Sequence, residues 1–222
     1  MSIKQNLIEI KSLLPSHVTL VAVSKTKPVS DLMEAYHAGQ RIFGENYVQE
    51  LVDKNNQMPL DVEWHFIGHL QSRKVKLIAP FVSLIHGVDS LKLLQEINKQ
   101  AAKYNRIINV LLQIHIAEEE SKFGLDTQEL DELLKHIELN KQNYQNINIK
   151  GLMGMATFTE DKNQIAKEFK LLKTIFNKIN TSFIIKQPLS ILSMGMSGDF
   201  ELAIDCGSTM VRIGSSIFGK RN

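Results

Sequence analysis

The chain has 222 residues, 43% of them hydrophobic and 23% charged, with a formal net charge of +2. It is long enough to bury one sizeable core without cross-links, too nearly neutral to argue for a nucleic-acid partner, and lacks an apolar run that could cross a bilayer. Its one cysteine, Cys206, excludes an internal disulfide and a cysteine metal cluster, and suits the reducing cytoplasm as a small core residue. At the N-terminus, Ile3, Leu7, Ile10 and Leu14 form one helical stripe. Lys4, Glu9 and Lys11 interrupt it, unlike the continuous apolar core of a signal peptide.

The first strand is expected in VTLVAV, whose apolar, largely β-branched residues are too few for a helix and read as a buried strand ending near Lys25. KPVSDLMEAYHAG carries helix signals, with Pro28 near its start, Ser30 as a candidate cap and Gly39 as a stop. The alternation then repeats: RIFGEN precedes YVQELVDKNNQM, EWHFIGHL precedes QSRKVKLIAPF, and VSLIHGVDS precedes LKLLQEINKQAAKYN. INVLLQIHI, KGLMGMA, LSILSMGM and MVRIGSSIFG supply the remaining strands, separated by TQELDELLKHIELNKQN, IAKEFKLLKTIFNKI and the short GDFELAIDCG. Eight strands alternating with seven connecting helices predict an α/β protein, and the count favours a TIM-type (β/α)8 barrel with an extra N-terminal helix. A doubly wound dinucleotide-binding sheet would want glycines in the first turn, where this chain has SKTKP. Nothing divides the sequence, so one domain over residues 1–222 is expected.

Barrel chemistry sits at the carboxyl ends of the strands. Lys25, Glu45, Asn46, His69, His86, Asp89, His115 and Thr157 are all expected there. The last two strands add Ser193, Gly195, Ser197, Gly198, Gly214, Ser215 and Ser216, small residues whose amides and hydroxyls can approach an anion closely. The loops after strands seven and eight are the recurrent phosphate site of such barrels. Asp199 beside that cradle is an objection unless its carboxylate faces away. A lysine amine that forms an imine must lose its proton, so partial burial and the neighbouring cation Lys27 would help Lys25, while Lys27 and Lys122 have weaker claims. Arg212 should point into the barrel, because it alternates with Met210 and Gly214. Together these residues suggest a phosphorylated aldehyde as ligand.

VAVSKTKP, FGENYVQE, WHFIGHLQSRK, GLMGMAT, LSMGMSGDFELAI and GSTMVRIGSSIFG, in that order, resemble the pyridoxal phosphate homeostasis proteins. The resemblance implies a fold-type III barrel like the N-terminal domain of alanine racemase, binding pyridoxal 5′-phosphate (PLP) as an internal aldimine on Lys25. It implies that Arg212 faces the pyridine nitrogen, that Asn46 lies near the phenolic oxygen or imine, and that Met194, Ser197, Gly214 and Ser215 hold the phosphate. The second, β-rich domain that gives alanine racemase a partner tyrosine is not in this sequence, so efficient racemisation is not expected. The expected role is a cytoplasmic, monomeric carrier that limits free PLP or delivers it to apo-enzymes, with no established catalytic activity. Two rivals stay open: a weak PLP-dependent amino-acid racemase, and a metal-dependent hydrolase using His65, His69, His86 and His115, the first two expected on one side of a strand.

Overall fold

In the computed structural model, which describes residues 2–118, 123–182 and 188–219, eight parallel strands close into a barrel in sequence order. The strands are β1 Thr19–Val23, β2 Ile42–Glu45, β3 Glu63–Phe66, β4 Leu84–Val88, β5 Ile108–Gln113, β6 Ile147–Met153, β7 Ile191–Met196 and β8 Met210–Ile213. Closure is made by β1 against β8, with Thr19 beside Met210 and Ala22 beside Ile213. Helices α2 Val29–His37, α3 Val48–Asn55, α4 Val75–Ile78, α5 Leu91–Lys103, α6 Thr127–Leu139, α7 Lys162–Thr181 and α8 Phe200–Asp205 connect successive strands, as the alternation in the sequence requires. Two more helices, α1 Ile3–Leu13 and α9 Ser215–Phe218, lie before the first strand and after the last.

Side chains one residue apart on a strand face opposite ways, and here each face has its own partner. Ile85, Val110, Leu112, Leu152, Leu192, Val211 and Ile213 join the apolar core under the helices. Val21, Leu84, Leu111, Met153 and Met210 instead form a separate cluster inside the barrel. Two positions beyond Leu84 and Met210, the same inward face carries His86 and Arg212, so a polar layer lies above an apolar one toward the mouth.

The N-terminal helix packs beside the barrel against α2 and α9, burying Leu7 and Ile10. Asn6 Nδ2 ties it to the Ile217 carbonyl at 2.9 Å. Three local expectations change. Ser30 lies within α2, whose cap is Pro28 without a side-chain hydrogen bond, although Gly39 does take the positive φ of +88° that ends the segment. The helix expected over QSRKVKLIAPF shrinks to a 3-10 turn at Ser72–Lys74 and the four-residue α4. Strand eight stops at Ile213, because Gly214 turns the chain into α9. Gly214, Ser215 and Ser216 therefore belong to a turn and a helix start.

Candidate functional site

The chain leaves β1 through a turn in which the Lys27 amide donates to the Ser24 carbonyl at 3.0 Å. Lys25 is the second residue of that turn, half-buried, and Thr26 carries a φ of +65°, a left-handed conformation that a β-branched residue rarely adopts. Such a conformation needs outside support. Glu50 on α3 supplies it by accepting from the Thr26 amide at 2.6 Å. Lys54, one helical turn on, donates to the Ser24 carbonyl at 2.7 Å, to Glu45 Oε1 at 2.7 Å and to Glu50 Oε1 at 2.6 Å. Ser24 Oγ donates to the same Glu45 oxygen at 2.6 Å. A buried charge network between sheet and helix thus fixes the backbone that presents Lys25. Burial outweighs the ion pair at Glu45 and pushes its carboxyl above the usual carboxylate range.

Asn46 follows β2, and its Oδ1 is buried without a hydrogen-bond partner among the described residues. A buried amide oxygen left unpaired is costly, which marks it as an acceptor awaiting a group. Gly68 permits this arrangement, since a Cβ there would lie 2.3 Å from the Asn46 carbonyl oxygen.

Across the barrel, Arg212 is buried and makes three hydrogen bonds, to Ser193 on β7 and to Gly154 just past β6. Nη1 donates to the Ser193 carbonyl at 2.9 Å and to Ser193 Oγ at 2.7 Å, and Nη2 donates to the Gly154 carbonyl at 3.1 Å. Burial lowers its pKa to about 10, with Asp199 acting in the opposite direction, so the guanidinium stays charged at neutral pH. Ser193 faces the lumen and holds Arg212, which takes it out of the expected anion cradle. His86 lies within β4 and not at its end, with Nδ1 3.2 Å from Ser193 Oγ and Nε2 3.1 Å from His65 Nδ1. Burial pushes His65 down to about 3 and, with His65 and Arg212 as further causes, holds His86 well below the ordinary histidine value, so both rings are neutral.

The loops after β7 and β8 meet where the Gly214 amide donates to Ser197 Oγ at 3.3 Å. A bulge makes this possible: between the pairs Ser193–Met210 and Met196–Arg212 the register slips, and Gly195 takes a φ of +96°. Ser215, exposed, opens α9. The Met194 side chain is buried in the core under the helices, not at the loop, and Ser208 Oγ donates to its carbonyl at 2.8 Å. Asp199 accepts from the Met196 amide at 2.6 Å, a bond that folds its carboxylate back onto its own turn.

The remaining rim residues divide. His69 lies beyond the end of β3, not on the strand with His65, and pairs with Asp89 at 3.3 Å while stacking on Phe123. Thr157 Oγ1 donates to the buried Glu168 at 2.7 Å. His115 follows β5 beside a bridge between Ile114 and Leu125. Among the described residues no three His, Cys, Asp or Glu side chains converge as metal ligands. Lys122 lies outside the described residues.

The alanine racemase N-terminal domain family model matches residues 1–222. A pyridoxal phosphate homeostasis protein of Pasteurella multocida is 41% identical over 100% of this chain and 99% of its own length. The chain belongs to the pyridoxal phosphate homeostasis protein family. Its Escherichia coli relative is 43% identical, covering 94% of this chain and 88% of that protein. PipY of Synechococcus elongatus, solved with PLP bound, superposes with a TM-score of 0.89 at 33% identity over 98% of this chain and 100% of PipY. Alanine racemase of Clostridium difficile shares the fold, with a TM-score of 0.78 at 18% identity over 99% of this chain and 57% of the racemase.

In this homeostasis-family chain the sequence reading misses the supports of the site. Lys54 and Glu50 sit four apart on a helix, a spacing that looks like an ordinary surface pair until burial is known. Glu168 gives even less signal, yet it accepts from the Thr157 amide at 2.7 Å and the Glu118 amide at 3.2 Å, joining the loops after β5 and β6.

Proposed function

We propose that this chain binds PLP at the carboxyl-end mouth of the barrel, with Lys25 as the amine that holds its aldehyde carbon. Its role is to limit free PLP in the cell or deliver it to apo-enzymes. The observation that carries this reading is the unpaired, buried Asn46 Oδ1 at the mouth that Lys25 and the Ser197–Gly214 contact also border. PipY, a full-length structural match, has been solved with PLP bound. The residues fit the ligand. Asn46 offers an amide to the polar edge of the ring, Arg212 a fixed cation to its nitrogen, and Ser197, Gly214, Ser215 and the Met194 backbone small polar groups to its phosphate.

When bound, PLP supplies an electrophilic aldehyde and a conjugated ring that can take up electron density. The protein's part is to hold and to restrain. The clamped turn at Ser24–Lys27 fixes the Lys25 backbone, so engaging the aldehyde costs the side chain's rotamer freedom but no further ordering of the main chain. Arg212 has no acceptor and keeps its proton at neutral pH, so the ring nitrogen facing it would receive a hydrogen bond and not a proton. That choice weakens carbanion chemistry and suits a carrier. We read residues 1–222 as one monomeric domain without established catalysis, and relatives are named for homeostasis. The alanine racemase relationship supports weak racemisation as the alternative.

A visible spectrum of the PLP-loaded protein, borohydride reduction and peptide mapping test the attachment; label on a peptide without Lys25, or no label, overturns it. Delivery to an apo-enzyme no faster or fuller than from free PLP removes the carrier role. Chiral analysis of amino acids incubated with the loaded protein decides the alternative, with turnover lost in Lys25→Ala as its positive result.

A further inference from the structure

The two buried histidines are not among the ligand contacts proposed above, yet they occupy the polar layer next to Arg212. Four groups run across the lumen in contact: Arg212 Nη1 to Ser193 Oγ at 2.7 Å, Ser193 Oγ to His86 Nδ1 at 3.2 Å, and His86 Nε2 to His65 Nδ1 at 3.1 Å. His65, His86, Ser193 and Arg212 are all buried, so each must find its partners inside the fold. A guanidinium only donates, so Ser193 Oγ accepts from Arg212, and the direction beyond it follows from where the hydroxyl proton finds an acceptor. That proton is free for His86 Nδ1. His86 then carries its proton on Nε2 and donates to His65 Nδ1, which leaves the His65 proton on Nε2. The reverse direction would place two donors on Ser193 Oγ and leave the hydroxyl proton without a described acceptor.

We propose that Ser193, His86 and His65 form a one-way hydrogen-bond chain headed by Arg212, and that His86 and Ser193 are positioning residues that hold the guanidinium against the cofactor ring. Bonds arranged head to tail strengthen one another in a low-dielectric interior. Neutral rings can support a buried cation where a protonated histidine would repel it. The chain also gives Arg212 an anchor on β4 and β3, strands that its own two backbone contacts, at Ser193 on β7 and Gly154 just past β6, do not reach. This inference rests on the reading of Arg212 as a contact of PLP.

Two measurements separate the chain from that reading. In the protein without PLP at pH 7, long-range nitrogen–proton correlation spectra should show His65 and His86 as neutral Nε2–H tautomers. In Ser193→Ala, which keeps the backbone carbonyl that Arg212 also uses, the His86 pattern should move away from the pure Nε2–H form. An Nδ1–H or charged His86 in the wild type, or an unchanged pattern in Ser193→Ala, overturns the chain whether or not PLP binds. With PLP, Ser193→Ala should weaken binding about tenfold to a hundredfold, as loss of a bond to a charged group implies, His86→Phe should weaken it by a smaller factor, and both should shift the bound absorption band. Tight wild-type binding with unchanged affinity and spectrum in both variants overturns the positioning role. Wild-type protein that fails to bind PLP overturns the proposed function and the ring-positioning role, while the apo spectra still decide the chain.

Discussion

At residue 25 a lysine and an arginine carry the same charge but only one offers an amine that can be neutralised and attached to an aldehyde. Lys25→Arg is therefore expected to abolish the borohydride-fixed label while leaving the fold intact, read by mass spectrometry and circular dichroism. Arg212 is the second position at which side-chain chemistry carries the proposed site. Arg212→Met removes the donor-only cation from the lumen and should raise the PLP dissociation constant at least tenfold, about 1.4 kcal/mol, in equilibrium titration. Both residues stand out in the sequence, the lysine at a strand end and the arginine in alternation with Met210 and Gly214. Ser193 does not, because a serine in a glycine-rich run looks like any other loop donor. Its inward direction and its bond to Arg212 come from the pleat of β7.

The element that matters most for presenting the lysine is α3. Its Lys54 is buried against β2, where it neutralises Glu45 and closes the turn after β1. Removing one member of a buried pair leaves an uncompensated charge, typically costing 3–5 kcal/mol. Lys54→Met is expected to lower stability by about 3 kcal/mol in urea unfolding and to weaken PLP attachment as the turn loosens. Glu50→Gln, at a half-buried partner, should cost less. A Lys54→Met protein as stable as wild type would show that the Glu45 carboxyl is protonated in the fold. The expected cap Ser30 is not one, and the structure instead shows caps that the sequence reading left unnamed: Asp126 and Glu129 form a reciprocal capping box at the start of α6, and Ser90 caps α5 by accepting from the Leu93 amide. The short α4 escapes such reading, because the tertiary path to β4 and Pro80 leave room for a single turn.

For the whole molecule, the buried polar layer couples stability to pH. His65 is held at about 3 against an ordinary 6.5, so the unfolded chain binds a proton that the folded chain refuses between those values. Stability from this group is complete above about pH 6.5 and is lost as pH falls toward 3, by up to about 1.4 kcal/mol per pH unit. His86 and Arg212 face the same layer, and His86 acts in the same direction. Glu45, raised by burial, acts oppositely, its contribution being present below the ordinary carboxylate range and lost as pH rises. A His65→Asn protein keeps Glu45, so the difference between the two proteins isolates the histidine. The wild-type Tm should fall more steeply from pH 7 to pH 5 than that of His65→Asn; parallel slopes would mean that His65 titrates normally in the fold.

Alternating apolar runs and helical stripes determined the count and order of the strands and of the helices between them, because periodicity is a local property of the chain. Closure into a barrel in sequence order, with β1 against β8, is a long-range fact that the count favoured and the fold decided. Lys25, Asn46, Ser197, Arg212 and Gly214 could be named from residue type and strand position. Tertiary structure alone showed that Asn46 Oδ1 is buried and unpaired, that Lys54 clamps the lysine turn, and that two histidines stand behind Arg212. Burial and hydrogen-bond partnership depend on which distant strands meet, and no stretch of sequence contains its own neighbours.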